Sequence, residues 1–299
     1  MERSVKPAPP AAQRRAIESV IVYTLFGAAA VAMASVVLIT IYIWREGWPI
    51  LAKTGPLRFI LGTQWNPGAG VYGILPQLAG SVYVTAGALA LGVPLGVGGA
   101  LFLAEFAPAK LSDLIRPAVS LLAAIPSVVY GFVALNLLLP ILQGPTGGFG
   151  MSMLAGAIVL AVMILPTIVG ISENAIRAVP GDYREASLGL GASHWQTCWR
   201  VVLPAARSGI LASVILGAGR AIGETMAVMM VTGNVYMIPG SFLRPGATLT
   251  GTIALEFAYA GPEHQRALFA VGIVLLVFIM AVNSLARLAA GWARKGADG

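Results

Sequence analysis

Cysteine and histidine are nearly missing from this chain: one cysteine and two histidines stand in 299 residues. Cys198 has no second thiol to pair with, so an internal disulfide is excluded and the residue reads as a small packing group. His194 and His264 fall in loops without metal-site spacing around them, and the sequence assigns neither a ligand nor a catalytic role. Charge is scarce too, at 10% of residues, while 58% are hydrophobic. No G-x4-G-K-[ST] string occurs anywhere, so the chain carries no phosphate-cradling loop of its own for ATP. No Ser–His or Asp–Asp pair stands at membrane depth, which argues against an intramembrane enzyme.

What is present is long apolar runs. The mean hydropathy is +0.84, and a soluble core of this size cannot absorb so many apolar side chains. Runs long enough to span hydrocarbon, which takes ~20 residues as a helix, occur at Ile17–Trp44, Leu78–Ala104, Ala118–Leu142, Met151–Ile171, Ile210–Thr232 and Ala267–Ala290. They predict an all-α integral membrane protein of six transmembrane helices. The first run continues well past Ala32-Met33-Ala34, so it reads as an uncleaved anchor rather than a leader. Thirteen of the nineteen Lys and Arg fall on the side that holds both ends and the loop after the fourth span. That bias predicts that both termini are cytoplasmic, and it accounts for the net charge of +7 with no nucleic-acid partner. The domain reading is a disordered tail at 1–16, helix 1 at 17–44, an outer segment at 45–77, a core at 78–290 and a tail at 291–299. Trp48 and Trp65 among Gly and Pro, with Trp44 at its edge, make the outer segment compact rather than a free loop.

The stretch Asp182–Pro204 reads as two short helices joined by a glycine corner. Asp182 with Glu185, and Ser193 with Gln196, have capping-box spacing, while Gly189 and Gly191 can supply left-handed geometry. Trp195, Trp199 and Val202 at i, i+4 and i+7 predict one apolar stripe. Such an element is either a docking surface or an amphipathic pair lying in the membrane interface. Glu185-Ala186-Ser187-x3-Gly191, nine residues, then Val201-x-Leu203-Pro204 resembles the EAA loop of ABC-importer permeases, with Ser187 and Val201 as mild departures. The resemblance implies a type I ABC-importer permease fold, non-catalytic, in a bacterial inner membrane. It also implies that Glu185, Ala186, Gly191, Trp195, Leu203 and Pro204 couple the chain to a cytoplasmic ATPase.

Two spans carry polar groups. Pro126 loosens the third, with Ser127 and Tyr130 offering hydroxyls beside the break. A packing kink and a pathway lining both fit these residues. In the fifth, Arg220 and Glu224 are the clearly intramembrane charges, and i, i+4 spacing predicts that they share one helix face. They form either a self-neutralising pair or an anion site, in which Arg220 draws the anion and Glu224 holds Arg220 or takes a proton. Ile125-Pro126-Ser127-x2-Tyr130-Gly131 and Gly219-Arg220-x2-Gly223-Glu224-Thr225-Met226-Ala227-Val228 resemble phosphate-specific members of that permease family, the C-type subunit rather than the A-type. The similarity runs from about Leu61 to Leu285. It implies a pathway lined by Pro126, Ser127, Tyr130, Arg220, Glu224 and Thr225. It also implies an A-type permease partner in a heterodimer, two ATPase copies, and a periplasmic or lipid-anchored phosphate-binding protein. The chain itself would bind no cofactor; ATP and Mg belong to the ATPase. The competing readings are a permease for molybdate, sulfate or phosphonate, and a secondary anion transporter with Glu224 as proton carrier.

Overall fold

A computed structural model describes residues 11–295. Residues 1–10 of the expected tail and 296–299 of the other lie outside the described residues. The first helix, α1 (Ala11–Thr54), is longer than the expected span and starts inside the segment read as tail. It is followed by α2 (Pro56–Leu61) and a two-residue ribbon, β1 (Trp65–Asn66) against β2 (Val71–Tyr72). Then come α3 (Leu75–Leu101), α4 (Ala109–Ala124), α5 (Ser127–Val133), α6 (Leu139–Thr146) and α7 (Met153–Arg177). The corner is α8 (Gly181–Gly189) and α9 (His194–Thr197), and it leads into α10 (Leu203–Gly223). The chain closes with α11 (Met226–Val231), α12 (Leu249–Glu256) and α13 (Pro262–Lys295). Among the described residues, six helical stretches are long and apolar enough to cross a membrane, in agreement with the expected number.

The centre is the pair α3 and α7. Gly92 and Gly96 of α3 face Ile164 and Ile168 of α7 so closely that a Cβ on either glycine would lie under 3 Å from an isoleucine side chain. Absence of a side chain on α3 is what lets two helices approach at this distance. Around that seam gather the buried Val84, Ala88, Leu160, Ile164, Ala227 and Val231. The stretch of α1 from Val20 to Tyr42 is exposed all round, as suits a helix wrapped by lipid, and α1 joins the body near Gly47, packed on the Ala270 backbone of α13.

Two expected spans are broken. The third does not run from Ala118: α4 is a separate helix from Ala109, and the crossing stretch is Ser127–Thr146. The cause is Pro126, which has no N–H for the Leu122 carbonyl and holds Ile125 and itself extended. Tyr130 fills the gap by donating its hydroxyl to Leu122 O at 2.7 Å. The fifth span ends at Gly223, and Glu224 is extended, with ψ 132°. Thr250 donates to the freed Glu224 carbonyl at 3.0 Å, and Glu224 Oε1 turns back to accept from Ala227 N at 3.4 Å, at the start of α11. Glu224 keeps a helical φ of −69°, so its Cβ still leaves on the Arg220 face, but its carboxylate is engaged by Ala227 N and no Arg220–Glu224 ion pair forms among the described residues. A glycine followed by a β-branched Thr225 makes the break cheap, and the distant hydroxyl of Thr250 makes it stable.

The outer segment is tied to the body by a carboxylate from a later helix, which the sequence hid. Glu256 accepts hydrogen bonds from the Trp65 indole at 2.9 Å and from the Tyr236 hydroxyl, and His264 Nε2 lies 2.7 Å from the same carboxylate. Burial first, then the bond to Glu256, raises the Tyr236 pKa, so the phenol stays protonated as a donor. Ile50, Phe59, Trp65, Tyr72, Ile74 and Leu268 pack into one core beneath this carboxylate.

Two stability outcomes are expected from thermal unfolding in detergent. Tyr130→Phe leaves the Leu122 carbonyl only the 3.4 Å bond from Ile125 N and should cost about 0.5–1.5 kcal/mol, seen as a lower Tm. Glu256→Ala leaves Trp65 and Tyr236 without their acceptor, at a similar cost for each stranded donor. An unchanged Tm in either variant would mean that water or another group already serves those atoms.

Candidate coupling corner and pathway breaks

The Asp182–Pro204 corner begins where α7 runs out. Pro180 is extended and Gly181 already helical, so Asp182 lies in the first turn of α8 and no side chain caps it. The expected Asp182–Glu185 box is absent because proline, not aspartate, occupies the cap position; Asp182 still places negative charge by the positive helix end. The second box is present: Ser193 Oγ accepts from Gln196 N at 3.3 Å and Gln196 Oε1 from Ser193 N at 2.9 Å. Gly191 takes the left-handed turn at φ +88°, whereas Gly189 remains the last residue of α8.

Ser187, the departure from the EAA pattern, is buried and its hydroxyl lies 2.9 Å from that of Thr197. It pins α8 to α9 across the glycine corner. The apolar stripe is split. Trp195 and Trp199 stay together, 5.6 Å between ring centroids and 58% and 52% exposed, while Val202 is fully buried with Ala100, Leu101 and Ile176. A π-helical turn over Cys198–Val202 inserts extra arc and rotates the face after Trp199 toward the body. Tyr183, Leu188 and Leu190, the last 90% exposed, join the two tryptophans in an uncovered apolar patch. Glu185, Ala186 and Gly191 are exposed on the same corner, with Pro204 exposed and Leu203 half-buried where α10 starts.

Arg184 and Glu105 are the functional pair that sequence reasoning missed. Arg184 Nη2 meets Glu105 Oε1 at 2.7 Å and donates to Ile176 O at 2.9 Å, while Nη1 donates to Val179 O at 2.6 Å. One guanidinium thus caps the end of α7 and ties α8 to the π-helical turn Phe102–Phe106 that ends α3. Nearby, Glu173 pairs with Arg116 of α4 at 2.8 Å and Arg177 at 2.9 Å. Arg177 also donates to Leu103 O at 2.8 Å. A signal existed in the sequence, an acidic residue at the end of a span and arginines after another, but nothing local pairs them.

The pathway candidates divide. Pro126 is exposed in the α4–α5 break, Ser127 opens α5, and Tyr130 is engaged by Leu122. The break in the fifth span lies close by, because Gly131 of α5 packs directly on Ala227 and Met230 of α11. Arg220 is exposed near the end of α10 and, among the described residues, forms no ion pair or side-chain hydrogen bond. Thr225 Oγ1 donates to Gly223 O at 3.3 Å. Glu224 lines a cavity of about 10 Å³ with Ser81, Thr85, Thr248 and Thr250, the size of one water. The structure thus sets two interrupted helices near one another, with a carboxylate and hydroxyls at the second break and a guanidinium one turn before it.

The family model described as "Binding-protein-dependent transport system inner membrane component" matches residues 92–295. The chain is 41% identical over 268 residues to the "Probable ABC transporter permease protein YqgH" of Bacillus subtilis, covering 86% of this chain and 87% of that protein. It is 37% identical over 272 residues to the "Phosphate transport system permease protein PstC" of Mesorhizobium japonicum, covering 83% and 82%. Among solved structures, the inward-facing MetNI methionine ABC transporter superposes at TM-score 0.60 with 18% identity, over 77% of this chain and 99% of that one. A bacterial alginate ABC transporter superposes at 0.61 with 12% identity, over 89% and 94%. At those identities the likeness speaks for the fold alone, that of type I ABC-importer permeases. The chain belongs to the family of binding-protein-dependent transport system inner membrane components, as a multi-pass, non-catalytic membrane subunit of such a transport system.

Proposed function

We propose that this chain is the C-type permease subunit of an ATP-driven importer of inorganic phosphate. The observation that carries the reading is Arg220: a guanidinium beside a broken helix in the membrane region, with no ion pair to a carboxylate among the described residues. Charge at that depth costs ~2.5–3.5 kcal/mol on insertion scales and persists where it meets a partner or a wet path. Its planar fork suits two oxygens of a tetrahedral oxyanion. The relatives named as phosphate permeases narrow the anion to phosphate. The absence of an Arg220–Glu224 ion pair among the described residues weakens the self-neutralising pair as an alternative, and leaves Glu224 to shape the break with Thr250 and Ala227.

In this reading both termini and the Asp182–Pro204 corner face the cytoplasm, and the uncovered Trp195–Trp199 patch with Glu185 fits a groove on one of the two ATPase copies. An A-type permease covers the face that carries Arg220 and completes the pathway, and a periplasmic or lipid-anchored binding protein delivers phosphate at the outer end. ATP and Mg act on the ATPase. Closure of the ATPase pair moves the corner, and α3 and α7 follow through the arginine bonds at its root.

Uptake of labelled phosphate, in cells lacking other phosphate importers and given this chain with its partners, tests the substrate. It should require the ATPase and be competed by arsenate but not by sulfate or molybdate. Arg220→Ala should lower uptake by at least about tenfold, the smaller end of what a charged hydrogen bond contributes, with the complex still purifying whole. Normal uptake by that variant would remove Arg220 from the pathway. Glu185→Lys should detach or uncouple the ATPase, read as lost co-purification or as ATP hydrolysis indifferent to the binding protein. A tight, coupled complex would sink the docking role.

A further inference from the structure

The sequence separates Glu105 widely from His194 and Cys198, and so hides a donor set that the fold assembles. His194 Nε2 lies 3.7 Å from Glu105 Oε2 and 4.0 Å from Cys198 Sγ, and the three ligand atoms fall within 4.8 Å of one another. Tetrahedral zinc, bonded at about 2.1 Å to nitrogen and oxygen and about 2.3 Å to sulfur, spaces such ligands about 3.4–3.6 Å apart. His194 therefore needs a few tenths of an ångström to close on each partner, and Glu105 and Cys198, within 4.8 Å of each other, approach by up to about 1.2 Å through side-chain rotation to share one ion. We infer that Glu105, His194 and Cys198 form a binding site for a zinc-class divalent cation at the corner where α9 meets the end of α3, with water as fourth ligand.

The chemistry favours that class. Thiolate with imidazole and one carboxylate selects a borderline-soft ion and disfavours magnesium or calcium, which take oxygen ligands. Cys198 is buried and the Glu105 side chain nearly so, which fixes two ligands; the His194 side chain, 49% exposed, provides the way in from water. Glu105 is already oriented from behind, because Arg184 Nη2 holds Oε1 at 2.7 Å while Oε2 accepts only a longer bond from Arg184 Nε, at 3.4 Å, and lies toward His194. The Phe106 ring stands edge-on to His194 at 4.9 Å and limits its rotation. The Arg184 charge opposes a dication, and loss of the Cys198 proton to water on binding supplies the compensating negative charge. Binding would tie α9 to α3 by metal bonds in addition to the Arg184 fork. It requires nothing of what the chain transports, so it stands or falls apart from the phosphate reading.

The test uses the purified full-length chain in detergent under reducing conditions, with Co²⁺ alone as the probe. One equivalent should give a near-ultraviolet thiolate-to-cobalt absorption band that Zn²⁺ bleaches. His194→Gln, at an exposed side chain, should melt like the parent without metal and bind at least ~10-fold more weakly, since even outer-shell losses cost that much. Cys198→Ser should lose the band altogether. No thiolate band in the parent, or a band and affinity unchanged in His194→Gln, would overturn the site.

Discussion

Everything at the root of the corner depends on where the Glu105 carboxylate sits. Its side chain is 7% exposed, and Arg184 meets it while also closing the Ile176 and Val179 carbonyls. Two helix ends and the body of a third helix therefore share one guanidinium: the end of α3, the end of α7 and the body of α8. Removing one member of a buried pair strands the other, at ~3–5 kcal/mol. The neighbouring Glu173, Arg116 and Arg177 set adds α4 to the same knot, since Arg177 also donates to Leu103 O. Short connections and charge-assisted bonds make this end of the molecule stiff. An exposed patch mounted on a stiff base can transmit a push; one mounted on a loose loop would absorb it.

That base stands over a core built on a different principle. The α3–α7 seam holds by contact, with glycines at 92 and 96 admitting the isoleucines of the facing helix. Lipid offers no hydrophobic penalty for separating apolar helices, so close packing and satisfied backbone groups must do the holding. Polar ties gather at the two ends, Glu105 and Glu173 at one and Glu256 at the other, with the fitted apolar seam between them.

How far the sequence could be read follows from how local each cause is. The six crossings were legible because hydropathy over ~20 residues outweighs every other term. So was the Ser193–Gln196 box, whose two bonds close within three residues. Tyr130 beside Pro126 was visible as a kink with a hydroxyl, though not as a donor to Leu122 specifically. The break at Glu224 was illegible, because apolar residues continue on both sides and the group that stabilises it, Thr250, arrives from a later helix. The same holds for Ser187 with Thr197, which looks like a mild drift from a motif until the corner folds and buries both hydroxyls. Periodicity placed Val202 with the tryptophans because it assumes 3.6 residues per turn, and the π-helical turn at Cys198 does not obey that count.

The two interrupted helices have a consequence for how this molecule bends. At each gap the carbonyl that the helix abandoned is served by a side-chain hydroxyl, Tyr130 at Leu122 and Thr250 at Glu224. A backbone bond can be released only by unwinding a turn, whereas a hydroxyl swivels about its own χ angles and keeps hold of its oxygen over a range of tilts. The gaps therefore act as lubricated pivots: the half-helices on either side can change angle without exposing a bare peptide group to lipid. Because Gly131 seats one gap against the helix that follows the other, tilting α5 displaces α11 with it. The two pivots turn together.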